Sequence, residues 1–175
     1  METTDELTNV LIPEIDNLLD DYIHSRYEDE NCLGEGMYSL CVEVAGYCVK
    51  LGGYCNTDAG GEVWAKWCID NQHLACVPKI LYSRFFGDHQ YILVMEILSS
   101  VEPHSTEFSR YAEYIEDDEV PYNATVPAYI QEFIEAFADI REEGYLDLHS
   151  GNYMLREEDG VMVIIDPFSG ATFRR

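Results

Sequence analysis

The sequence is short of positive charge: 10 Lys and Arg stand against 34 Asp and Glu in 175 residues, a formal net charge of -24. A surface this negative repels nucleic acid and anionic membranes, which argues against direct binding to either. It is drawn instead to basic surfaces, such as the nucleic-acid channels of polymerases and nucleases. Solubility is the other reading, although a magnitude of about 2 to 8 suffices for a small domain. Long apolar runs are missing as well. No stretch approaches the roughly 20 residues that span a bilayer, and no segment has the basic start and apolar run of a signal peptide. Cys-x-x-Cys pairs are absent. The cysteines Cys32, Cys41, Cys48, Cys55, Cys68 and Cys76 lie mostly in apolar runs, where a free thiol behaves as a small hydrophobe. A soluble protein of a reducing cytoplasm is expected.

What is present is enough to fold. Apolar residues make up 47% of the chain and aromatic ones 13%, which excludes a wholly disordered polypeptide. The length suits one domain, or two small lobes sharing a cleft. There is no internal repeat and no low-complexity linker; acidic clusters at 28–30 and 116–119 punctuate better-patterned segments.

Leu7, Leu11, Ile15, Leu18 and Tyr22 recur at helical spacing, which predicts an N-terminal helical extension within residues 1–30. From 31 to 51, a glycine turn at Gly34 and Gly36 and a second turn at Ala45-Gly46 separate β-rich runs, predicting a strand followed by a hairpin. A helix is expected over 61–72, introduced by Asp58 and the glycine pair. Two strands follow within 79–86 and 90–97, around Gly87-Asp88. Beyond residue 100 the pattern turns helical. Tyr129, Phe133, Phe137 and Ile140 form a stripe that Gly144 is placed to end. The runs 152–155 and 161–165 read as a hairpin about the turn at 157–160. The order predicts an α+β fold with a β-rich lobe over 31–98, a helical lobe over 99–175 and a cleft between them.

The candidate chemistry is phosphoryl transfer, in which a protein must hold a triphosphate, neutralise its charge with metal and orient the acceptor hydroxyl. Gly34, Gly36 and Ser39 form a turn that lets backbone approach phosphates, since glycine has no Cβ; alone, such a turn is more often only a turn. Lys50 ends the apolar run Cys48-Val49-Lys50 and points either to solvent or to phosphates. Glu62 pairs with that lysine, or simply complements the N-terminus of its helix. The strongest signal is Asp147-Leu148-His149-Ser150-Gly151-Asn152 with Asp166 downstream. In this reading Asp147 takes the acceptor proton, while Asn152 and Asp166 bind metal. A loop of turn formers with an Asx cap explains each residue singly but not their joint spacing. His149 adjoins Ser150 too closely for a nucleophile pair, so a backbone-bonded loop histidine is expected.

On these residues the chain resembles the protein-kinase superfamily, which has a glycine-rich loop, a strand lysine, a D-x-x-x-x-N loop and a metal-binding Asp in this order. More narrowly it is similar, from about residue 31 onward, to the early serine/threonine protein kinases of T7-like bacteriophages. The resemblance implies a two-lobed kinase-like fold, ATP and Mg²⁺ as cofactors, and transfer to hydroxyls of host proteins during infection. It also implies Glu96, within the run 90–97, as a nucleotide-binding position. The same loop is shared with aminoglycoside and choline phosphotransferases, so a small-molecule acceptor stays open.

Departures from the pattern carry their own expectations. Tyr145-Leu146 replaces the usual His-Arg, which removes the arginine that reads a phosphorylated activation loop. Asp166-Pro167-Phe168 replaces Asp-Phe-Gly, and Ser39 stands at the third loop glycine. The residues after Asp166 are too few for an activation segment, so a minimal fold with a truncated helical C-lobe is expected. Two functions compete on this basis. One is an active serine/threonine kinase; the other is a kinase-derived acidic inhibitor that mimics DNA in a basic channel of a host RNA polymerase or defence nuclease.

Overall fold

The structure, a computed structural model, describes residues 13, 15–17, 31–53, 58–101, 105–142 and 144–169. The fold is α+β, and its residues gather into two compact units. The first comprises the described residues up to Gly53 together with Leu81–Ile97; the second comprises Asp58–Ile80 and the described residues from Leu98 onward.

Alternation builds the first unit. Strands β1 (Cys32–Glu35), β2 (Ser39–Val44), β3 (Tyr47–Gly52), β4 (Ile80–Phe85) and β5 (Tyr91–Met95) form a sheet in the order β1-β2-β3-β5-β4. The pairs β1–β2, β2–β3 and β3–β5 are antiparallel. Because side chains alternate across a strand, Leu40, Val42, Val49, Leu51, Ile92 and Val94 all reach one face, where they form a core with Ile15. The β2–β3 turn has positive φ at both Ala45 (51°) and Gly46 (82°), the backbone that matches the twist of a tight hairpin. Close packing also selects glycine at position 52: a Cβ there would lie 2.1 Å from the Tyr91 ring.

The second unit is held by aromatic helix faces. It contains α1 (Ala59–Asp70), α2 (Thr106–Asp117) and α3 (Ala128–Arg141). It also contains a small sheet, β6-β7-β8, made of Ser99–Ser100, Tyr153–Arg156 and Val161–Ile164. Spacing of three and four along α3 brings Ile130, Phe133 and Phe137 to one face, against Trp64 of α1, Ile115 of α2 and Ile164 of β8. Phe133 and Phe137 stack at 5.2 Å between centroids, and Trp64 meets Phe137 edge-on at 5.9 Å. Arg156 is buried, and its guanidinium donates to the carbonyls of Ala75 (2.9 Å) and Val77 (3.0 Å). Two main-chain acceptors away from water are thereby satisfied.

The strands and both longer hairpins fall where the patterning places them. Three details differ. Helix α1 begins at Ala59, so Gly60 and Gly61 lie within its first turn and do not precede it. Asp58 is the N-cap: its carboxylate accepts from Gly61 N at 2.9 Å. Gly144 does not end α3, whose C-cap is Glu142 in a right-handed conformation. Its smallness serves packing, because a Cβ there would lie 2.8 Å from the Phe168 ring. The two-residue strand β6 is too short to leave a periodic signal. Of the expected N-terminal helix, residues 15–17 are helical with Ile15 buried, and the rest lies almost wholly outside the described residues. Among the described residues no helix is long and apolar enough to cross a membrane.

Phe137 meets the rings of Trp64, Trp67, Phe133 and Phe168 and is 1% exposed. Phe137→Ala is expected to lower the unfolding free energy by about 3–5 kcal/mol in urea titration. Tyr122→Ala, at a fully exposed ring, is expected to stay within about 0.5 kcal/mol.

Candidate functional site

The polar loop after α3 is pinned to the segment that follows β8. Leu146 and Phe168 form an antiparallel bridge. Asp147 N donates to Pro167 O at 2.8 Å, and Ser169 N donates to Tyr145 O at 2.9 Å. Further along, Ile165 N (2.9 Å) and Asp166 N (3.4 Å) both donate to Asn152 O. The Asn152 side-chain amide closes the loop on itself by donating from Nδ2 to Asp147 O at 2.6 Å. Asp147, Asn152 and Asp166 are thus brought together by main-chain geometry. Asp147 keeps a side chain 44% exposed. With Nδ2 committed to the loop, the other polar atom of the Asn152 amide, its Oδ1, is not part of that contact.

His149 behaves as a turn former. Its Nδ1 accepts from Gly151 N at 3.0 Å, its carbonyl accepts from Asn152 N at 2.8 Å, and its Nε2 stands 3.9 Å from Asp147 Oδ1. A Cβ at residue 151 would lie 2.8 Å from His149 Cε1, so a larger residue there would have to displace the exposed His149 ring. Helix α2 also reaches the loop, which the sequence does not disclose: Leu148 N donates to Glu116 Oε1 at 3.1 Å.

Gly34, Gly36, Ser39 and Lys50 lie in the first unit, on or between neighbouring strands. Gly36 N donates to Ser39 O at 2.8 Å, closing the β1–β2 turn. Neither Gly34 nor Gly36 is required by the fold: neither has positive φ, and a Cβ on Gly34 would meet nothing within 4 Å, on Gly36 only Ser39 O at 3.8 Å. Lys50 pairs with Cys41 and Leu93 and alternates with the core residues Val49 and Leu51, so it lies on the opposite sheet face. At 4% exposure it does not face solvent. Glu96 follows β5 directly and is half-buried. On that same face a side-chain hydrogen bond with Cys41, together with burial, pushes the Cys48 thiol far above its ordinary range.

Glu62 lies in the second unit, in the first turn of α1, where its carboxylate accepts from Lys66 Nζ at 2.6 Å. In the same unit burial pushes the Cys76 thiol up, and both Cys48 and Cys76 are held protonated.

The donors suit a magnesium–nucleotide pair better than an ion held by protein alone. Among the described residues no group of three or more His, Cys, Asp or Glu is placed to hold a metal. Magnesium is commonly bound by one or two carboxylates completed by substrate phosphates and water; Asp166 would offer one carboxylate and Asn152 a neutral amide oxygen. Open space at Gly34 and Gly36 suits close approach of a phosphate chain.

A glycine hairpin, a buried strand lysine and a polar loop locked to an aspartate are the equipment of the protein-kinase class. The chain matches, over residues 29–173, the family model described as bacteriophage T7 protein kinase 0.7, and it belongs to that family. Comparison with curated proteins finds no match.

Because the loop glycines are not needed for folding, Gly34→Ala and Gly36→Ala are expected to leave the melting temperature unchanged or slightly higher. Both are expected to raise KM for ATP by about 10-fold, roughly 1.4 kcal/mol of lost binding. Gly52→Ala, which forces a Cβ into the Tyr91 ring, is expected to act oppositely and lower the melting temperature.

Proposed function

We propose that the protein is a serine/threonine protein kinase of a minimal, two-lobed kinase-like fold, which transfers the γ-phosphoryl group of Mg²⁺-ATP to hydroxyls of host proteins in the bacterial cytoplasm. The single observation that carries this reading is the lock between the loop and the strand end, through Asn152 and Pro167, which gathers Asp147, Asn152 and Asp166. Membership of the phage kinase family supports it.

Each residue has a defined task. Asp147 orients the acceptor hydroxyl and takes its proton on the carboxylate as the new P–O bond forms and the bond from the γ-phosphorus to the departing ADP oxygen breaks. Asn152 and Asp166 hold the metal, which supplies charge neutralisation on the phosphates when bound. Lys50 pairs with the phosphates, while Gly34, Gly36 and Ser39 present backbone to them. Glu96 binds the nucleotide. The net charge of -24 favours host partners with basic surfaces, RNA polymerase and nucleases among them.

The test is transfer of labelled phosphate from ATP in host lysate. Wild-type protein is expected to label host proteins in a Mg²⁺-dependent manner that EDTA abolishes. Asp147→Ala is expected to lower the rate by about 10²–10⁴-fold, and Asp166→Ala to abolish the metal response. Wild-type labelling no greater than that of Asp147→Ala overturns the proposal.

A further inference from the structure

Helix α2 ends against its own electrostatics. Its last residues are Glu116 and Asp117, followed by the C-cap Asp118 and by Glu119, and no basic residue lies in its last turn. The carbonyl end of a helix is its negative pole, where acids are unfavourable. Asp118 also adopts a left-handed conformation, φ 56°, which residues other than Gly, Asn and Asp seldom visit. Solvation of an acidic surface explains acids at such a place in general, but not the contacts that these particular residues make.

Compensation comes from α3. Arg141 Nη2 donates to Glu116 O at 3.0 Å, and Arg141 Nη1 pairs with Asp118 Oδ1 at 2.9 Å. A cation from a neighbouring helix therefore covers the carbonyl end that α2 leaves uncovered. Held in this way, the Glu116 side chain reaches across to accept from Leu148 N at 3.1 Å.

The peptide unit between Asp147 and Leu148 is thereby gripped on both sides. Its carbonyl accepts from Asn152 Nδ2 at 2.6 Å, and its amide donates to Glu116 Oε1. The preceding peptide unit is held by the bond from Asp147 N to Pro167 O. Fixing the peptide planes before and after a residue fixes its φ and ψ, which leaves Asp147 only side-chain torsions. Asn152 and Pro167 come from the loop and strand of the site itself; Glu116 comes from a separate helix. Local preference is broken at α2 where a distant requirement is met, the pattern found at functional positions.

We propose that Glu116, backed by Arg141, is a positioning residue for Asp147: it holds the Leu148 amide and so sets the direction in which the Asp147 carboxylate meets the acceptor hydroxyl. This rests on the kinase reading above. The length of the glutamate side chain lets its oxygen span the gap to the Leu148 amide.

The experiment uses the full chain with Glu116→Ala, Glu116→Gln and Glu116→Asp beside wild type and Asp147→Ala. Phosphate-transfer kinetics are measured together with amide exchange at Leu148 by NMR. Glu116→Gln keeps an oxygen at the right distance, whereas aspartate is too short and alanine has none. Glu116→Ala and Glu116→Asp are expected to lower kcat by about 10-fold, since small misplacements at a reacting centre are costly. KM for ATP is expected to stay within about 2-fold, and Glu116→Gln to stay near wild type. Leu148 exchange is expected to quicken by about 10-fold in the alanine and aspartate variants and not in glutamine. Wild-type kcat in the alanine variant, failure of glutamine to rescue, or unchanged Leu148 exchange overturns the proposal. If wild type shows no transfer above Asp147→Ala, the kinase reading itself fails, and Leu148 exchange alone decides whether Glu116 anchors the loop.

Discussion

One side-chain amide organises the second unit's site. Asn152 gives its Nδ2 to the Asp147 carbonyl and its own carbonyl to Ile165 N and Asp166 N, so a single residue ties the polar loop to the end of β8. Short buried strands supply the rigidity behind it: Met162, Val163 and Ile164 are fully buried, and Ile164 N donates to Cys76 O at 2.9 Å. Positioning by main-chain bonds and the Asn152 Nδ2 leaves the carboxylates of Asp147 and Asp166 outside the bonds that build the loop. This suits phosphoryl transfer, where placement and charge matter more than a reactive side chain.

Glycine stands in two kinds of surroundings in the chain. At Gly52 and Gly144 the missing Cβ is filled by Tyr91 and Phe168 respectively, so smallness is demanded by the protein's own packing. Among the described residues nothing lies within 4 Å of a Cβ added at Gly34, and one added at Gly36 meets only Ser39 O at 3.8 Å, so packing demands smallness at neither. The two kinds look alike in the sequence, and only the surroundings of each Cβ separate them.

Charge shows the same division between local and distant causes. An excess of acid over base leaves many acids with no cation nearby, and the end of α2 reads as one more solvated cluster. Its arrangement becomes intelligible only once Arg141 and Leu148 are seen beside it. Lys50 is the converse: the strand pattern leaves its direction open between solvent and site, and its burial on the face opposite Val49 and Leu51 removes the first choice.

Much of the fold was legible in the sequence, because the forces that set its elements act over a few residues. The β-rich runs of β2, β3 and β5, positive-φ turns at Gly46 and Gly160, and the aromatic stripe on α3 each follow from neighbouring residues. The spacing of Asp147, Asn152 and Asp166 was equally visible, as was the backbone-bonded role of His149. Tertiary structure decided what depends on residues far apart in the chain: the true task of Gly144, the burial of Arg156 on the Ala75 and Val77 carbonyls, and the reach of Glu116 to Leu148. Periodicity reports which side of an element is apolar; it carries no record of which polar group a fold will bring to that element from tens of residues away.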